Sequence, residues 1–238
     1  MRFPFILPLL LTSLASAVPT RFEIKDAGLR NLIYWVNDAP LEKMIGLSNA
    51  IDGWVELNPY KIREGIKGAF STDLRTLETG SEGRNEFLRE KVFQAADNPI
   101  VTFDITKLLN ATGDVAKRDV PVVAKLEGQL KLRGVQKPVT LFLRLNYLPE
   151  NEDTKTRLPG NLLKISTTFD VDLSEFGLAI PEAQAPRIAR QIQVAFDAMA
   201  TDVVTSKLVL PIPEGPKPKD PQTRTLNRVR MPSSEDSQ

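Results

Sequence analysis

The sequence contains neither cysteine nor histidine, and these two absences exclude several kinds of chemistry. Without cysteine there is no disulfide framework, thiol nucleophile, iron–sulfur ligand or lipidated cysteine anchor. Without histidine the chain lacks the commonest general base and the commonest zinc ligand, so a Ser-His-Asp triad is impossible. Ser-Lys and paired-carboxylate catalysis stay open. These absences make an enzyme or a metalloprotein a poor starting hypothesis.

The chain also has little net charge (+1), since 31 basic residues stand against 30 acidic ones among 238 residues. This balance gives no electrostatic reason to bind nucleic acid or an anionic membrane surface. A hydrophobic share of 42% is ordinary for a globular protein. The length is sufficient to bury a sizeable core, as one large all-β domain or as two small ones.

The N-terminal segment is typical of an export signal. Arg2 supplies a short positive region, residues 5–11 form an apolar stretch, and Ala15-Ser16-Ala17 has the small-x-small pattern that signal peptidase cleaves. A membrane anchor is the alternative, but the apolar run is too short to cross a hydrocarbon layer of about 30 Å. We predict a signal peptide at 1–17, cleavage after Ala17 and a periplasmic location, with secretion as the alternative. No later segment has transmembrane length, so we expect no integral membrane segment after cleavage.

The C-terminal segment, residues 211–238, is rich in proline and charge and has few large apolar residues to bury. This composition predicts a disordered tail. The folded domain is then expected at 18–210.

Between these ends, hydrophobic residues alternate with polar ones, which is the period of a β-strand with one apolar face. Residues 126–132 and 139–145 show the pattern most clearly, and with a turn at 134–138 they predict a hairpin. Further predicted strands lie at 32–36 (with Leu32, Tyr34 and Val36 as the apolar set), 55–57, 101–105, 163–171, 192–196 and 203–210. At least seven such strands favour an antiparallel barrel or sandwich over a parallel sheet covered by helices.

Helical periodicity is confined to short segments. Phe87, Leu88 and Val92 have helical spacing and predict a helix at 83–93, and a second short helix is predicted at 181–189.

Three blocks of sequence, in this order, resemble the family of YceI-like proteins. The first joins a threonine-glycine turn at 79–80 to the arginine-containing helix RNEFLREK at 84–91 and to NPIVTF at 98–103, where a proline precedes a T-x-F strand. The second, LEGQLKLRGVQKPVTL at 126–141, is similar to the strand, G-V-x-K-P turn and strand of the family. The third, FDVDLSEFGL at 169–178, resembles its late strand and D/E-F-G-I/L turn.

The resemblance implies an all-β fold: an antiparallel, lipocalin-like β-barrel of about eight strands with one or two short helices and an elongated apolar cavity. Family members bind polyisoprenoids or similar lipids and are usually periplasmic. The implied partner is a long-chain apolar lipid (a polyisoprenoid, a quinone or a fatty-acid-like molecule), and a homodimer is compatible with the family. The sequence departs from the family at Phe87, where histidine is common. A head-group contact made by that histidine would be lost here.

The apolar faces of the strands have two interpretations. They can fill the barrel as a packed core, or some of them can line a ligand cavity, and a barrel of about eight strands allows either. Both interpretations require the same alternation. The candidate lining residues are Val101, Phe103, Leu130, Leu132, Leu141, Leu143, Ile165, Phe169, Val194 and Phe196.

Two rival functions are weighed against a lipid carrier. Asp170, Asp172 and Glu175 could support acid–base catalysis or calcium binding. However, the two aspartates share the polar face of a predicted strand, and the segment lacks the glycine and the length of a calcium loop. We therefore expect no enzymatic activity, cofactor or metal. The other rival is a ligand-free envelope interaction or stress-response protein with a filled barrel and a tail that recruits a partner.

Overall fold

The computed structural model describes residues 18–203 except 27, 179 and 181. The predicted signal peptide, the tail at 211–238 and residues 204–210 of the predicted last strand lie outside this range. Within it, the chain folds into ten strands: β1 (Thr20–Ile24), β2 (Leu32–Asp38), β3 (Lys43–Ser48), β4 (Ile51–Leu57), β5 (Ile66–Asp73), β6 (Ile100–Ala111), β7 (Val122–Leu132), β8 (Val135–Leu148), β9 (Leu162–Asp172) and β10 (Gln191–Thr201).

Eight of these strands close into an antiparallel barrel in the order β1-β4-β5-β6-β7-β8-β9-β10, and the pairing of Glu23 with Thr201 joins β1 to β10. The hairpin of β2 and β3 extends the sheet from the same edge of β10, where residues 193–197 pair with β2. The predicted antiparallel barrel of about eight strands is therefore confirmed.

The turn between β7 and β8 is shorter than the sequence predicted. Only Arg133 and Gly134 lie outside the two strands, both with positive φ (50° and 75°), and the tight two-residue connection matches the twist of a hairpin. The predicted turn at 134–138 is wrong, because Val135 pairs with Leu132 and Pro138 pairs with Gln129.

Helix is confined to short segments in the described part of the chain. The predicted helix at 83–93 is present as α1 (Glu82–Phe87) followed by a π-helical turn (Leu88–Val92). The helix predicted at 181–189 is wrong: a single 3-10 turn occupies Glu182–Gln184, and Pro186 follows it, where the missing N–H opposes continuation of a helix. A one-turn helix that was not predicted, α2 (Glu152–Lys155), follows the capping residue Asn151.

The interior of the barrel is divided into two ends. At the filled end, where β1 joins β10, side chains pack into a core that excludes solvent, and Phe22 and Leu145 are both 0% exposed. Other core residues there are Ile24, Val55, Leu57, Leu126, Leu163 and Ile165, each exposed by 1% or less. At the hollow end, where the β2–β3 hairpin stands beside β10, the inward-facing residues surround a cavity.

Candidate functional site

The cavity at the hollow end has a volume of about 140 Å³ and an almost wholly apolar wall. Each strand from β2 to β10 contributes at least one lining residue, and Leu74, Leu77 and Phe93 contribute from the connection between β5 and β6. A single water needs roughly 10–15 Å³ by such a measure, so the space suits on the order of ten water-sized or methylene-sized groups.

Nine of the ten candidate residues from the sequence surround this cavity. They are Val101, Phe103, Leu130, Leu132, Leu141, Leu143, Phe169, Val194 and Phe196. Ile165 is different: it is 0% exposed and pairs with Leu145 and Ala198 in the filled end. Alternation along β9 gives Ile165 and Phe169 the same face, but it does not give their depth in the barrel. That any of these side chains contacts a ligand remains a prediction.

The sequence assigned the wrong face to β2. It predicted Leu32, Tyr34 and Val36 as the apolar set, whereas Ile33 and Trp35 line the cavity and Tyr34 is 38% exposed. Five consecutive apolar residues begin this strand, so alternation could not distinguish its two faces. Other lining residues that were not predicted are Leu47, Ser48, Ile51, Phe70, Ser71, Thr72, Asp73, Leu74, Leu77, Phe93, Thr102, Thr167, Val171 and Ile192.

Three phenylalanines meet in the wall of the cavity. The Phe70 ring stacks on Phe103 with 6.4 Å between centroids and lies tilted to Phe196 at 5.3 Å. Gly128 makes room for this cluster, because a Cβ there would come within 2.3 Å of the Phe103 ring. Aromatic pairs at these separations add to the stability that burial provides.

The indole of Trp35 lies against Gly46, its cross-strand partner on β3. A Cβ at Gly46 would come within 2.4 Å of the indole carbons and 2.5 Å of Nε1. The missing side chain of Gly46 therefore sets where the indole rests in the cavity wall.

Several polar side chains of the lining form hydrogen bonds with other residues of the protein. Ser48 Oγ and Thr76 Oγ1 are 2.7 Å apart. Asp73 accepts from Arg75 at 2.6 Å, and this hydrogen bond lowers the pKa of the Asp73 carboxyl. Two buried atoms, Trp35 Nε1 and Thr167 Oγ1, have no partner among the described residues.

The segment between β5 and β6 is tied to the hollow end by a polar network centred on Asn85, which is 0% exposed. Its amide nitrogen donates to Glu78 at 2.9 Å, and its oxygen accepts from Thr79 N at 2.8 Å. The Asn85 bond also lowers the pKa of Glu78. The backbone of Glu78 in turn pairs with that of Leu47 on β3 as an isolated antiparallel β-bridge. Because Leu77 and Phe93 line the cavity, this network holds one wall of it in place.

The backbone pairing between β8 and β9 covers only part of the two strands. The ladder between these strands runs from Leu148 and Leu162 to Arg144 and Ser166. Past that pair, within the described residues, 135–143 of β8 and 167–172 of β9 do not pair with each other. Leu141, Leu143, Thr167 and Phe169 flank this β8–β9 seam and all line the cavity.

The acidic group considered in the sequence has structural contacts. Asp172 accepts from Ser174 N at 2.9 Å at the start of a 3-10 turn and pairs with Arg190 at 3.1 Å. The Ser174 hydroxyl also donates to Asp172 and lowers the pKa of its carboxyl. In the described part of the chain, no group of three or more acidic residues is arranged to hold a metal ion.

Phe87, where the family resemblance led us to expect histidine, is 42% exposed on α1 and does not line the cavity. Within the described ranges, no helix has both the length and the apolar character to cross a bilayer.

Three solved structures of bacterial proteins have a similar fold. BcnA of Burkholderia cenocepacia is 17% identical with a TM-score of 0.58, over 74% of this chain and 100% of that one. A polyisoprenoid binding domain from Saccharophagus degradans, implicated in plant cell wall breakdown, is 14% identical with a TM-score of 0.54, over 77% and 98%. The YceI protein of Campylobacter jejuni is 17% identical with a TM-score of 0.52, over 65% and 82%.

These identities establish a shared fold and no more. No curated protein sequence matches the chain significantly. The sequence model of the YceI-like domain matches residues 32–200, which is more than half of the chain and includes β2 to β9 and most of β10. The chain belongs to the family of proteins with a YceI-like domain.

Proposed function

We propose that this protein binds a long apolar molecule, a polyisoprenoid, quinone or fatty-acid-like lipid, and carries or sequesters it in the bacterial periplasm without chemical change. The observation that carries the proposal is the cavity at the hollow end, whose wall is almost entirely hydrocarbon. A solved relative with this fold is described as a polyisoprenoid binding domain, which supports the same class of ligand. The export signal predicted at 1–17 supports the location.

The energetics favour a ligand that buries more methylene groups than the ten or so that fit in the cavity. Burial of about ten methylene groups contributes roughly 8 kcal/mol at ~0.8 kcal/mol each. Association costs of about 4–15 kcal/mol oppose it. A chain longer than the cavity would bury further groups along the mouth or the β8–β9 seam, so we expect longer chains to bind more tightly.

Native mass spectrometry tests the proposal on mature protein purified from the periplasm of its own bacterium. A discrete added mass, recovered as a long-chain lipid after denaturing extraction, is the expected result. A clean unliganded mass, with no uptake of added polyisoprenol, would contradict the proposal and favour the ligand-free envelope interaction protein.

A further inference from the structure

Two long side chains at the hollow end occupy backbone positions that favour glycine or asparagine. In the described part of the chain, three residues other than glycine have positive φ, namely Leu29 (49°), Gln94 (49°) and Arg133 (50°). This left-handed conformation is unfavourable for side chains that branch from a Cβ, apart from asparagine and aspartate. Gln94 and Arg133 are hydrogen-bonded to each other, because Arg133 Nη2 donates to Gln94 Oε1 at 2.6 Å. Two unfavourable backbone positions thus carry the two ends of one hydrogen bond.

Arg133 also bonds a third segment of the chain. Its Nη1 donates to the carbonyl oxygen of Gly177 at 3.0 Å. Arg133 lies in the β7–β8 turn, Gln94 lies in the connection between β5 and β6, and Gly177 ends the 3-10 turn Leu173–Phe176 that follows β9. One guanidinium therefore joins three segments that are distant in sequence. We call Arg133, Gln94 and Gly177 the end latch.

Each residue of the end latch directly follows an apolar residue of the interior. The residues that precede Arg133 and Gln94 are Leu132 and Phe93, and both line the cavity. The residue that precedes Gly177 is Phe176, which is 2% exposed and belongs to the same core. The end latch therefore fixes the backbone beside three interior side chains of the hollow end.

The 3-10 turn Leu173–Phe176 also bounds the β8–β9 seam. It begins directly after β9, whose last residues do not pair with β8, and it contacts β8 itself. The turn thus connects the two strands at the end where their backbone pairing is missing. The bond from Arg133 to Gly177 holds this turn to the neighbouring β7–β8 hairpin.

We propose that the end latch is a gate for the ligand. While Arg133 bridges Gln94 and Gly177, the 3-10 turn stays against β8 and closes the hollow end of the β8–β9 seam. When the two bonds break, the turn moves away and the ligand passes. Both bonds lie at the surface, so water can replace them at a modest cost, and the barrel strands stay folded. This inference rests on the proposed function, since it concerns how a ligand reaches the same cavity.

Arg133→Asn tests the gate in the mature protein. Asparagine favours the left-handed position of a tight hairpin turn, so the turn should persist while both bonds are lost. We expect the isoprenoid alcohol farnesol to enter and leave about tenfold faster, which is the size of two surface hydrogen bonds. Trp35 lines the cavity, so stopped-flow tryptophan fluorescence reports uptake, and mixing loaded protein with excess β-cyclodextrin reports release.

Two further measurements are specific to a gate. The affinity for farnesol in titration calorimetry should change less than about threefold, because entry and exit accelerate together. Amide hydrogen exchange at residues 173–178 should be faster in Arg133→Asn than in the wild type, because the turn opens more often.

The same exchange at the other two positions supplies the controls. Gln94→Asn shortens the acceptor by one methylene and should accelerate uptake about threefold, since it removes one of the two bonds. Added to Arg133→Asn it should have no further effect, because that bond is already lost. Leu29→Asn is the matched control: Leu29 has the same positive φ and is 62% exposed, but it makes no contact with the end latch among the described residues. It should leave both rates unchanged.

The outcomes separate this inference from the carrier function. Wild-type rates in folded Arg133→Asn and Gln94→Asn proteins, or unchanged amide exchange at 173–178, overturn the gate and leave the carrier function standing. Faster release with a matching loss of affinity also overturns the gate, because it indicates a lost contact with the bound ligand. Failure of the wild type to bind farnesol overturns both.

Discussion

Gly46 lies directly opposite Trp35 in the β2–β3 ladder, and the indole ring covers the place where a side chain at position 46 would begin. Gly46→Ala should therefore displace the indole, because the added carbon would stand 2.4 Å from it. Overpacking of this kind typically costs about 1–3 kcal/mol of stability. We expect a lower urea midpoint for Gly46→Ala. We also expect an altered Trp35 emission when the change is made together with Trp54→Phe, which leaves Trp35 as the one tryptophan of the two in the chain.

Gly83→Ala controls for the general effect of replacing a glycine. Gly83 lies in α1, and a Cβ there would meet nothing within 4 Å. This variant should be neutral or stabilising by roughly 0.5–1 kcal/mol, since alanine favours helix. Equal behaviour of the two alanine variants would contradict the role of Gly46.

The pairing of Gly46 with Trp35 also shows what the sequence could not predict. A lone glycine next to an isoleucine and a leucine carries no signal of a tryptophan that arrives from another strand. The sequence also could not show which face of β2 points into the barrel, because residues 32–36 are all apolar. Only the register between β2 and β10, which places Trp35 beside Val194, determines that Trp35 faces inward.

Long alternating strands were far more predictable. In β7, Glu127, Gln129 and Lys131 alternate with the inward-facing set that includes Leu126, Leu130 and Leu132, so the inward face is unambiguous. Depth was not predictable, because Ile165 and Phe169 share a face of β9 while one is in the filled end and the other lines the cavity. Depth depends on where β1, β2 and the β5–β6 connection meet the barrel, which is a property of the whole topology.

Phe169→Glu should abolish uptake of apolar ligands. Phe169 lines the cavity without being fully buried, so the fold should tolerate the change while a carboxylate there draws water into the binding space. We expect at least a hundredfold loss of affinity for farnesol at pH 8, measured by titration calorimetry. Recovery should follow at lower pH, because burial raises the pKa of the new carboxyl.

Phe142→Glu is the matched control on the outer face, where Phe142 is 55% exposed. It should bind farnesol as the wild type does. An unchanged affinity in folded Phe169→Glu protein would refute the assignment of Phe169 to the ligand site.

The β8–β9 seam predicts a lateral route to the cavity. Continuing the register of Arg144 with Ser166 brings Phe142 opposite Thr168, just past the last pair of the ladder. Because the chain contains no cysteine, a Phe142→Cys, Thr168→Cys variant can be joined specifically by a short dithiol-reactive cross-linker. We expect slower uptake of farnesol in stopped-flow fluorescence, with little change in the equilibrium affinity.

In the control, the same cross-linker joins the last pair of the β8–β9 ladder, in an Arg144→Cys, Ser166→Cys variant. These positions already pair, so closing them should not alter the uptake rate. If both cross-linked proteins take up ligand at the wild-type rate, entry occurs elsewhere, through the end of the barrel.

The last prediction concerns acid stability and Asp26, whose side chain is 1% exposed between Arg30 and Arg157. Burial alone would raise the pKa of Asp26, but hydrogen bonds from these two arginines and from Gly28 outweigh it and lower the pKa to about 2. The unfolded chain thus binds a proton near pH 3.8 that the folded chain does not accept until about pH 2. The stabilisation, about 2 kcal/mol, is complete above about pH 5 and is lost as the pH falls toward 2.

Asp26→Asn should remove this part of the pH dependence. Urea unfolding between pH 4 and pH 2 should show a shallower decline in the variant than in the wild type, because the amide does not titrate. Asp52→Asn is the matched control, since Asp52 is 60% exposed and stands 3.9 Å from Lys25, where an ion pair contributes little. A decline that is equally steep in Asp26→Asn would assign the acid sensitivity to other carboxyls. Asp26 contacts Arg157 at the filled end, so ligand affinity measured at neutral pH should stay close to the wild-type value in folded Asp26→Asn protein.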